Sequence, residues 1–100
     1  MINYTTEQQD RIMKALFGLS CLMDFYMPKA KVLSQGQIRG LTTHLWEIYA
    51  AASDLMPEES VVSICQPTVR KFREYCEMNR RQFWAISFPG SREAREALGL

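Results

Sequence analysis

Apolar residues in the middle of the chain recur every three or four positions, which is the period of an α-helix. Between residues 34 and 56 these positions are Ile38, Leu41, Leu45, Ile48, Ala52 and Leu55. Ser34 is a typical N-cap residue, and Gln37 three positions later completes a capping box. Pro57 ends the segment, because the residue before a proline avoids the helical region. The pattern therefore predicts a central helix over residues 34–56 that other helices must cover.

The same period occurs nearer the amino terminus. It begins after Thr5 and Thr6, either of which can cap a helix, and it runs to Pro28. The apolar positions are Ile12, Met13, Leu16, Phe17, Leu19, Leu22, Met23, Tyr26 and Met27. This predicts a first helix of about five turns with a broad apolar face. We expect Met13 and Met23 to lie in the core as flexible filler, and we leave Met27 open between the core and a partner-binding surface.

A third amphipathic segment begins at Pro57. Proline suits the first helical position, and the two glutamates that follow suit the positive end of the helix dipole. The apolar positions that keep helical phase are Val61, Cys65, Val69, Phe72 and Cys76. Because Pro67 lies among them, the segment is either one kinked helix or two helices meeting at Gln66-Pro67. We favour two helices.

The pattern changes after Asn79, a plausible C-cap residue. The next stretch has no helical period but contains the large apolar residues Phe83, Trp84, Ile86 and Phe88. Ser91 then caps a short helix over residues 92–98, with Gly99 as its terminator. The sequence predicts one all-α domain over all 100 residues. We expect a small bundle of four to five helices, with an irregular aromatic segment before a short C-terminal helix.

Few residues have the chemistry of a catalytic or metal site. The three cysteines lack metal-site or redox spacing, which predicts free thiols packed as small hydrophobes. His44 is the only histidine, and it has neither a second ligand nor a nucleophile at a recognised spacing. No glycine-rich phosphate loop occurs. We therefore expect a protein that is not an enzyme and needs no metal or cofactor.

The longest apolar run, residues 15–27, is too short to span a membrane. Acidic residues precede it, whereas a signal peptide opens with a positively charged region. These features predict a cytoplasmic protein without membrane contact.

The net charge is +1, yet residues 66–100 carry a net charge of +3. Basic residues beside aromatic ones could follow a single nucleic-acid strand. Glu74 and Glu77 dilute the cluster, so direct nucleic-acid binding is the less favoured alternative. A protein partner is favoured, because apolar surface that is not packed down usually marks an interaction site. The predicted partner-contacting residues are Gln66, Pro67, Arg70, Lys71, Arg73, Arg80, Arg81, Phe83, Trp84 and Phe88.

In size, helical texture, modest basic character and its internal Gln66-Pro67 pair, the chain resembles the anti-RecBCD accessory protein of lambdoid Salmonella phages. The resemblance implies a bacteriophage protein that acts in the host cytoplasm. Such a protein binds the host RecBCD helicase-nuclease, chiefly through RecC, and modulates or inhibits it, which protects phage DNA and favours phage recombination. The resemblance also implies contact between Pro67 and a host prolyl isomerase.

The turn Phe88-Pro89-Gly90-Ser91 before the last helix is similar to that of phage replicative-helicase loaders. That resemblance implies a loader or inhibitor of a replicative helicase. Both resemblances imply a non-enzymatic modulator of a DNA helicase. An anti-CRISPR protein would have the same composition and is a further alternative.

Overall fold

Three long helices and one short helix make up the fold in a computed structural model that describes residues 6–26 and 32–100. In chain order they are α1 (Thr6–Tyr26), α2 (Gln35–Ser53), α3 (Glu58–Met78) and α4 (Arg92–Ala97). The described residues contain no β-strand, so the predicted all-α class is confirmed. The predicted cap at Thr5 and the predicted helix end at Pro28 lie outside the described residues.

The three long helices run in alternating directions. Gln35, the first residue of α2, exchanges two hydrogen bonds with Gln82, just beyond the end of α3. Near the other end of α2, Tyr49 donates a hydrogen bond to Glu58, the first residue of α3. These contacts make α2 and α3 antiparallel. Leu22, near the end of α1, lies beside the first turns of α2, so α1 is antiparallel to α2 and parallel to α3.

The core lies between the long helices, and α2 and α3 together contribute most of its buried side chains. The buried residues of α2 are Ile38, Thr42, Leu45, Trp46, Ile48, Tyr49 and Ala52. Leu41 is only partly buried. Leu55 is also partly buried, but it lies in the turn after Ser53, because α2 ends earlier than the predicted helix. The predicted capping box is confirmed. The Ser34 hydroxyl accepts a hydrogen bond from the Gln37 N–H at 3.1 Å, and the Gln37 side chain accepts one from the Ser34 N–H at 2.8 Å.

The prediction that the third segment breaks at Gln66-Pro67 is wrong, because α3 continues through Pro67. Pro67 lies on the exposed side of the helix. There the carbonyl of Ser63, which loses its usual N–H partner, can be hydrated. On the opposite side, Cys65 and Val69 are buried before and after the proline. Packing on both sides of Pro67 therefore holds the helix together.

The prediction that Met13 packs in the core is also wrong, and the side chains of Met23 and Met27 lie outside the part of the chain that the structure describes. The face that α1 turns inward is formed by Ile12, Leu16 and Leu19, and Met13 is 47% exposed. Phe17, one turn further along, is 71% exposed. The apolar residues of α1 occur on several sides of the helix, so some of them face solvent.

The last helix begins and ends as the residues indicate. The Ser91 hydroxyl accepts a hydrogen bond from the Ala94 N–H at 3.1 Å. After Ala97 the chain reaches Gly99, whose φ of 72° lies in the left-handed region that favours glycine. Leu100 then donates its N–H to the carbonyl oxygen of Arg95 at 3.0 Å, which completes a Schellman motif.

Candidate protein-interaction surface

A tight turn at the end of α3 starts the segment between α3 and α4. Asn79 is the C-cap residue, as predicted, and Arg80 has a φ of 54°. Arg81 donates its N–H to the carbonyl oxygen of Cys76 at 2.8 Å, which is the long bond of a Schellman motif. The Arg81 side chain then donates to the carbonyl oxygen of Leu33 at 2.8 Å. These bonds direct the chain away from α3 and towards α2.

Two aromatic rings of the segment point inward. Phe88 is buried and packs edge-to-face on Trp46 and Tyr49, with ring centroids 5.0 and 4.9 Å away. Phe83 is half-buried and packs edge-to-face on Trp46 and Phe72. Both rings belong to the predicted partner-contacting set. In this conformation Phe88 packs in the core, so it offers no surface to a partner.

Glycine is required where the segment turns into α4. A Cβ on Gly90 would lie 2.8 Å from the Tyr49 hydroxyl oxygen and would also overlap the Phe88 ring. The absence of a side chain therefore lets the backbone approach these two residues.

Side chains from other elements hold the backbone of the segment. Gln35 pairs with the N–H and carbonyl of Gln82 at 2.8 and 2.7 Å. The indole N–H of Trp46 donates to the carbonyl oxygen of Trp84 at 2.9 Å. Arg95 of α4 donates to the carbonyl oxygen of Ala85 at 2.8 Å. The segment is thus attached to both α2 and α4.

The outward side of the segment presents an arginine, a tryptophan and an isoleucine. Ile86 is 72% exposed, and Trp84 is half-buried. The Arg39 guanidinium carbon lies 4.3 Å from the Trp84 ring centroid, which is cation–π geometry. The indole N–H of Trp84 donates to the Ser87 hydroxyl at 3.3 Å, which places the ring beside residues 84–87. We call Arg39, Trp84 and Ile86 the Trp84 surface.

Three of the predicted basic residues, Arg70, Lys71 and Arg73, lie on α3, outside the Trp84 surface. Arg70 and Arg73 line a groove of about 250 Å³ together with Gln66 and the end of α4. Arg73 donates to the carbonyl oxygen of Leu98 at 3.1 Å, so its guanidinium helps to hold α4 on α3. Arg70 and Pro67 are exposed, and Lys71 is half-buried on the same helix. Gln66, Arg70 and Arg73 therefore line this groove, whereas Arg80, Arg81, Phe83, Trp84 and Phe88 lie in the segment between α3 and α4.

A larger groove of about 480 Å³ lies where the first turns of α3 and α4 meet. Glu59, Glu93 and the apolar residues Val62, Ala94 and Ala97 line it together with Glu58 and Ser91. Glu58 accepts hydrogen bonds from the Ser91 hydroxyl, from the Ser91 N–H at 3.0 Å and from the Tyr49 hydroxyl at 3.1 Å. These hydrogen bonds, those from Ser91 above all, lower the pKa of the Glu58 carboxyl.

Glu58 and Arg39 were not singled out by sequence reasoning. The sequence identified Glu58 only as an acidic residue typical of the first turn of a helix. Its hydrogen-bond partner Ser91 lies 33 residues further along the chain, so no local pattern connects the two. Arg39 is an exposed position of an amphipathic helix, and nothing near it in the sequence indicates that Trp84 packs on it. Only the tertiary fold brings these pairs together.

The thiols differ in their surroundings. Cys65 and Cys76 are buried, and burial raises their pKa values to about 12 and about 11. The prediction of buried thiols is confirmed for these two. It is wrong for Cys21, which is exposed because it does not belong to the buried face of α1 formed by Ile12, Leu16 and Leu19. His44 is exposed. In the part of the chain that the structure describes, no three His, Cys, Asp or Glu residues are grouped as a metal site would require.

None of the described helices is both long enough and apolar enough to cross a membrane. Comparisons of the chain with protein-family models, with curated proteins and with solved structures found no match.

Proposed function

We propose that this chain is a non-enzymatic bacteriophage protein that binds a partner protein through the Trp84 surface. The observation that carries the proposal is an exposed Ile86 beside a half-buried Trp84, on a backbone held at several points, with Arg39 over the Trp84 ring. Tryptophan and arginine are enriched among the residues that dominate protein interfaces. A segment that is already held in place loses little conformational entropy when it binds.

The resemblance to phage accessory proteins suggests which partner to test first. We propose the host RecBCD helicase-nuclease, with RecC as the contacted subunit, in the cytoplasm of the host cell. Binding would modulate or inhibit the enzyme, which would protect phage DNA and favour phage recombination. A replicative helicase and a CRISPR complex are the alternative partners.

The proposed isomerase contact takes a specific form on this fold. Pro67 is exposed, so a host prolyl isomerase can reach it. It also lies inside α3, whose hydrogen bonds on both sides hold the backbone helical. We therefore propose that an isomerase would bind this face of α3 without changing the isomer of the Gln66-Pro67 bond.

Affinity capture from a bacterial lysate, followed by mass spectrometry, tests the partner and the surface together. The bait proteins are the parent chain, Ile86→Asp and a matched control, Phe17→Asp, which places the same charge on an equally exposed apolar residue of α1. We expect the parent and Phe17→Asp to recover RecB, RecC and RecD, and Ile86→Asp to lose them.

Other outcomes would change the proposal. Recovery of a hexameric replicative helicase would favour a loader, and recovery of CRISPR subunits would favour an anti-CRISPR protein. Salt-sensitive recovery of nucleic acid alone would favour the groove that contains Arg70 and Arg73. Undiminished recovery of the partner by Ile86→Asp would show that the Trp84 surface is not the contact.

A further inference from the structure

The Trp84 surface places an unneutralised positive charge beside apolar side chains. Arg39 is exposed, and none of the described residues forms an ion pair with it or accepts a hydrogen bond from it. The Trp84 ring holds its guanidinium in place from one face. Next to Trp84, the carbonyl oxygen of Ala85 accepts a hydrogen bond from Arg95. Two arginines therefore contact the stretch that carries Ile86.

We propose that the Trp84 surface recognises an acidic segment of its partner protein. In this segment a carboxylate side chain stands next to one or two apolar side chains. The carboxylate pairs with Arg39, and the apolar side chains cover Ile86 and the accessible part of Trp84. This inference rests on the proposed function, because it requires that the surface bind a protein.

The geometry of Arg39 favours a carboxylate. A guanidinium stacked on a ring keeps its N–H groups at the edge of its plane, where they can donate two parallel hydrogen bonds to one carboxylate. The ring contact also restricts the side chain before binding, so less entropy is lost when the pair forms. Apolar side chains that cover Ile86 would exclude water from the pair and strengthen it.

A nucleic acid fits this surface less well. A phosphate could also pair with Arg39, but binding of a single strand depends on aromatic rings on which successive bases stack. Trp84 already has Arg39 on one face, and Phe83 and Phe88 point inward. The more exposed of its two apolar residues is Ile86, an aliphatic side chain. A protein segment is therefore the better occupant.

Fluorescence anisotropy with three labelled probes tests the inference. The probes are a short synthetic peptide that repeats Glu-Leu-Gly, the matched Lys-Leu-Gly peptide and an oligothymidine of similar length. The proteins are the parent chain, Arg39→Glu and the control Arg70→Glu, which makes the same change at an exposed arginine of α3. The indole N–H signal of Trp84 in an NMR spectrum reports whether binding occurs at this surface.

We expect the parent to bind the glutamate peptide about tenfold or more tightly than the lysine peptide, with a shift of the Trp84 signal. Arg39→Glu should lose this preference, and Arg70→Glu should retain it. Equal binding of the two peptides, no binding of the glutamate peptide, or tighter binding of oligothymidine would overturn the inference.

The lysate capture separates this inference from the proposed function. If Ile86→Asp loses the partner and Arg39→Glu keeps it, the Trp84 surface binds a protein that is not recognised through an acidic segment. If both variants keep the partner, the proposed surface itself is wrong. Loss of the partner by both variants, with retention by Phe17→Asp and Arg70→Glu, supports both.

Discussion

Leu45 lies at the centre of the buried face of α2 and is fully buried among the long helices. Replacing it with alanine removes buried methyl groups and leaves a cavity. We expect Leu45→Ala to lower the free energy of unfolding by about 2–5 kcal/mol in urea denaturation. Ile86→Ala is the matched control, because Ile86 is exposed and its truncation should change stability by less than about 0.5 kcal/mol. An equally small loss for Leu45→Ala would contradict the placement of this face.

The three thiols should react at different rates with a thiol reagent at about pH 8. Cys21 is exposed and should react rapidly in the folded protein. Cys65 and Cys76 are buried, and their raised pKa values keep them neutral, so they should react only when the protein opens. Time-resolved labelling measures this, and Cys21→Ser should remove the fast phase. Rapid reaction of more than one thiol per chain would contradict the described core.

Leu45 of α2 and Phe17 of α1 show where the helical period predicts burial correctly and where it does not. In α2 the apolar positions form one stripe, so the pattern identified Leu45 as buried. In α1 apolar residues occur on several sides, and periodicity could not tell that Phe17 faces outward. Polar residues can also be buried when their hydroxyl groups are bonded. Thr42 donates to the carbonyl oxygen of Ile38 at 2.8 Å, a bond that a hydrophobicity pattern cannot reveal.

At the scale of elements, α3 shows that a helix can continue through an internal proline. The apolar residues before and after Pro67 keep the same helical period, which is compatible with one helix or with two. The structure has one helix, and Cys65 and Val69 are buried on its face opposite Pro67. Proline in a helix interior is about 3 kcal/mol less favourable than alanine. We therefore expect Pro67→Ala to stabilise the fold, by up to about that amount, in urea denaturation followed by circular dichroism.

Pro67→Ala also separates stability from isomerase contact. If a host prolyl isomerase binds at Pro67, the variant should lose it in a co-purification assay although its fold is more stable. Ser63→Ala, at an exposed position one turn earlier, is the control that leaves the proline in place. Retention of the isomerase by Pro67→Ala would show that the proline is not the contact.

The two Schellman motifs differ in the residue that adopts positive φ. Gly99 occupies this position after α4, whereas Arg80 occupies it after α3. A side chain in the left-handed region costs about 1–2 kcal/mol, and glycine avoids that cost but loses more entropy on folding. We expect Arg80→Gly to raise stability by about 1 kcal/mol or less, seen as a higher melting temperature. A clear loss of stability would show that the Arg80 side chain makes a stabilising contact.

The segment between α3 and α4 marks the limit of sequence reasoning about the candidate site. The absence of a helical period predicted an irregular stretch, and its aromatic content predicted an interaction site. Which rings point inward depends on distant residues, since Trp46 contacts Phe88 and also binds the carbonyl oxygen of Trp84. These contacts join elements that are far apart in the chain. No local sequence pattern could therefore predict that Phe88 is buried and Trp84 only half-buried.

At the scale of the whole molecule, Glu58 joins three helices at one end of the bundle. It begins α3, accepts a hydrogen bond from Tyr49 of α2 and accepts two from Ser91, the N-cap of α4. Because α4 also holds the Trp84 surface through Arg95, the Glu58 junction supports the candidate site from a distance. Loss of this junction should therefore weaken both the fold and the attachment of the segment before α4.

The pH dependence of stability tests the Glu58 junction. Hydrogen bonds from Ser91 and Tyr49 lower the pKa of the Glu58 carboxyl in the folded state, so the unfolded chain takes up a proton there more readily. The stability that Glu58 contributes is then present at neutral pH and is lost as the pH falls through the ordinary glutamate range towards the lowered pKa. Glu58→Gln has no titrating group, so we expect a lower melting temperature near pH 7 and convergence with the parent as the pH falls below the ordinary glutamate range. Glu59→Gln, at the exposed neighbouring position, should follow the parent curve. A melting-temperature difference between Glu58→Gln and the parent that stays constant from neutral to acid pH would show that the Glu58 charge does not stabilise the junction.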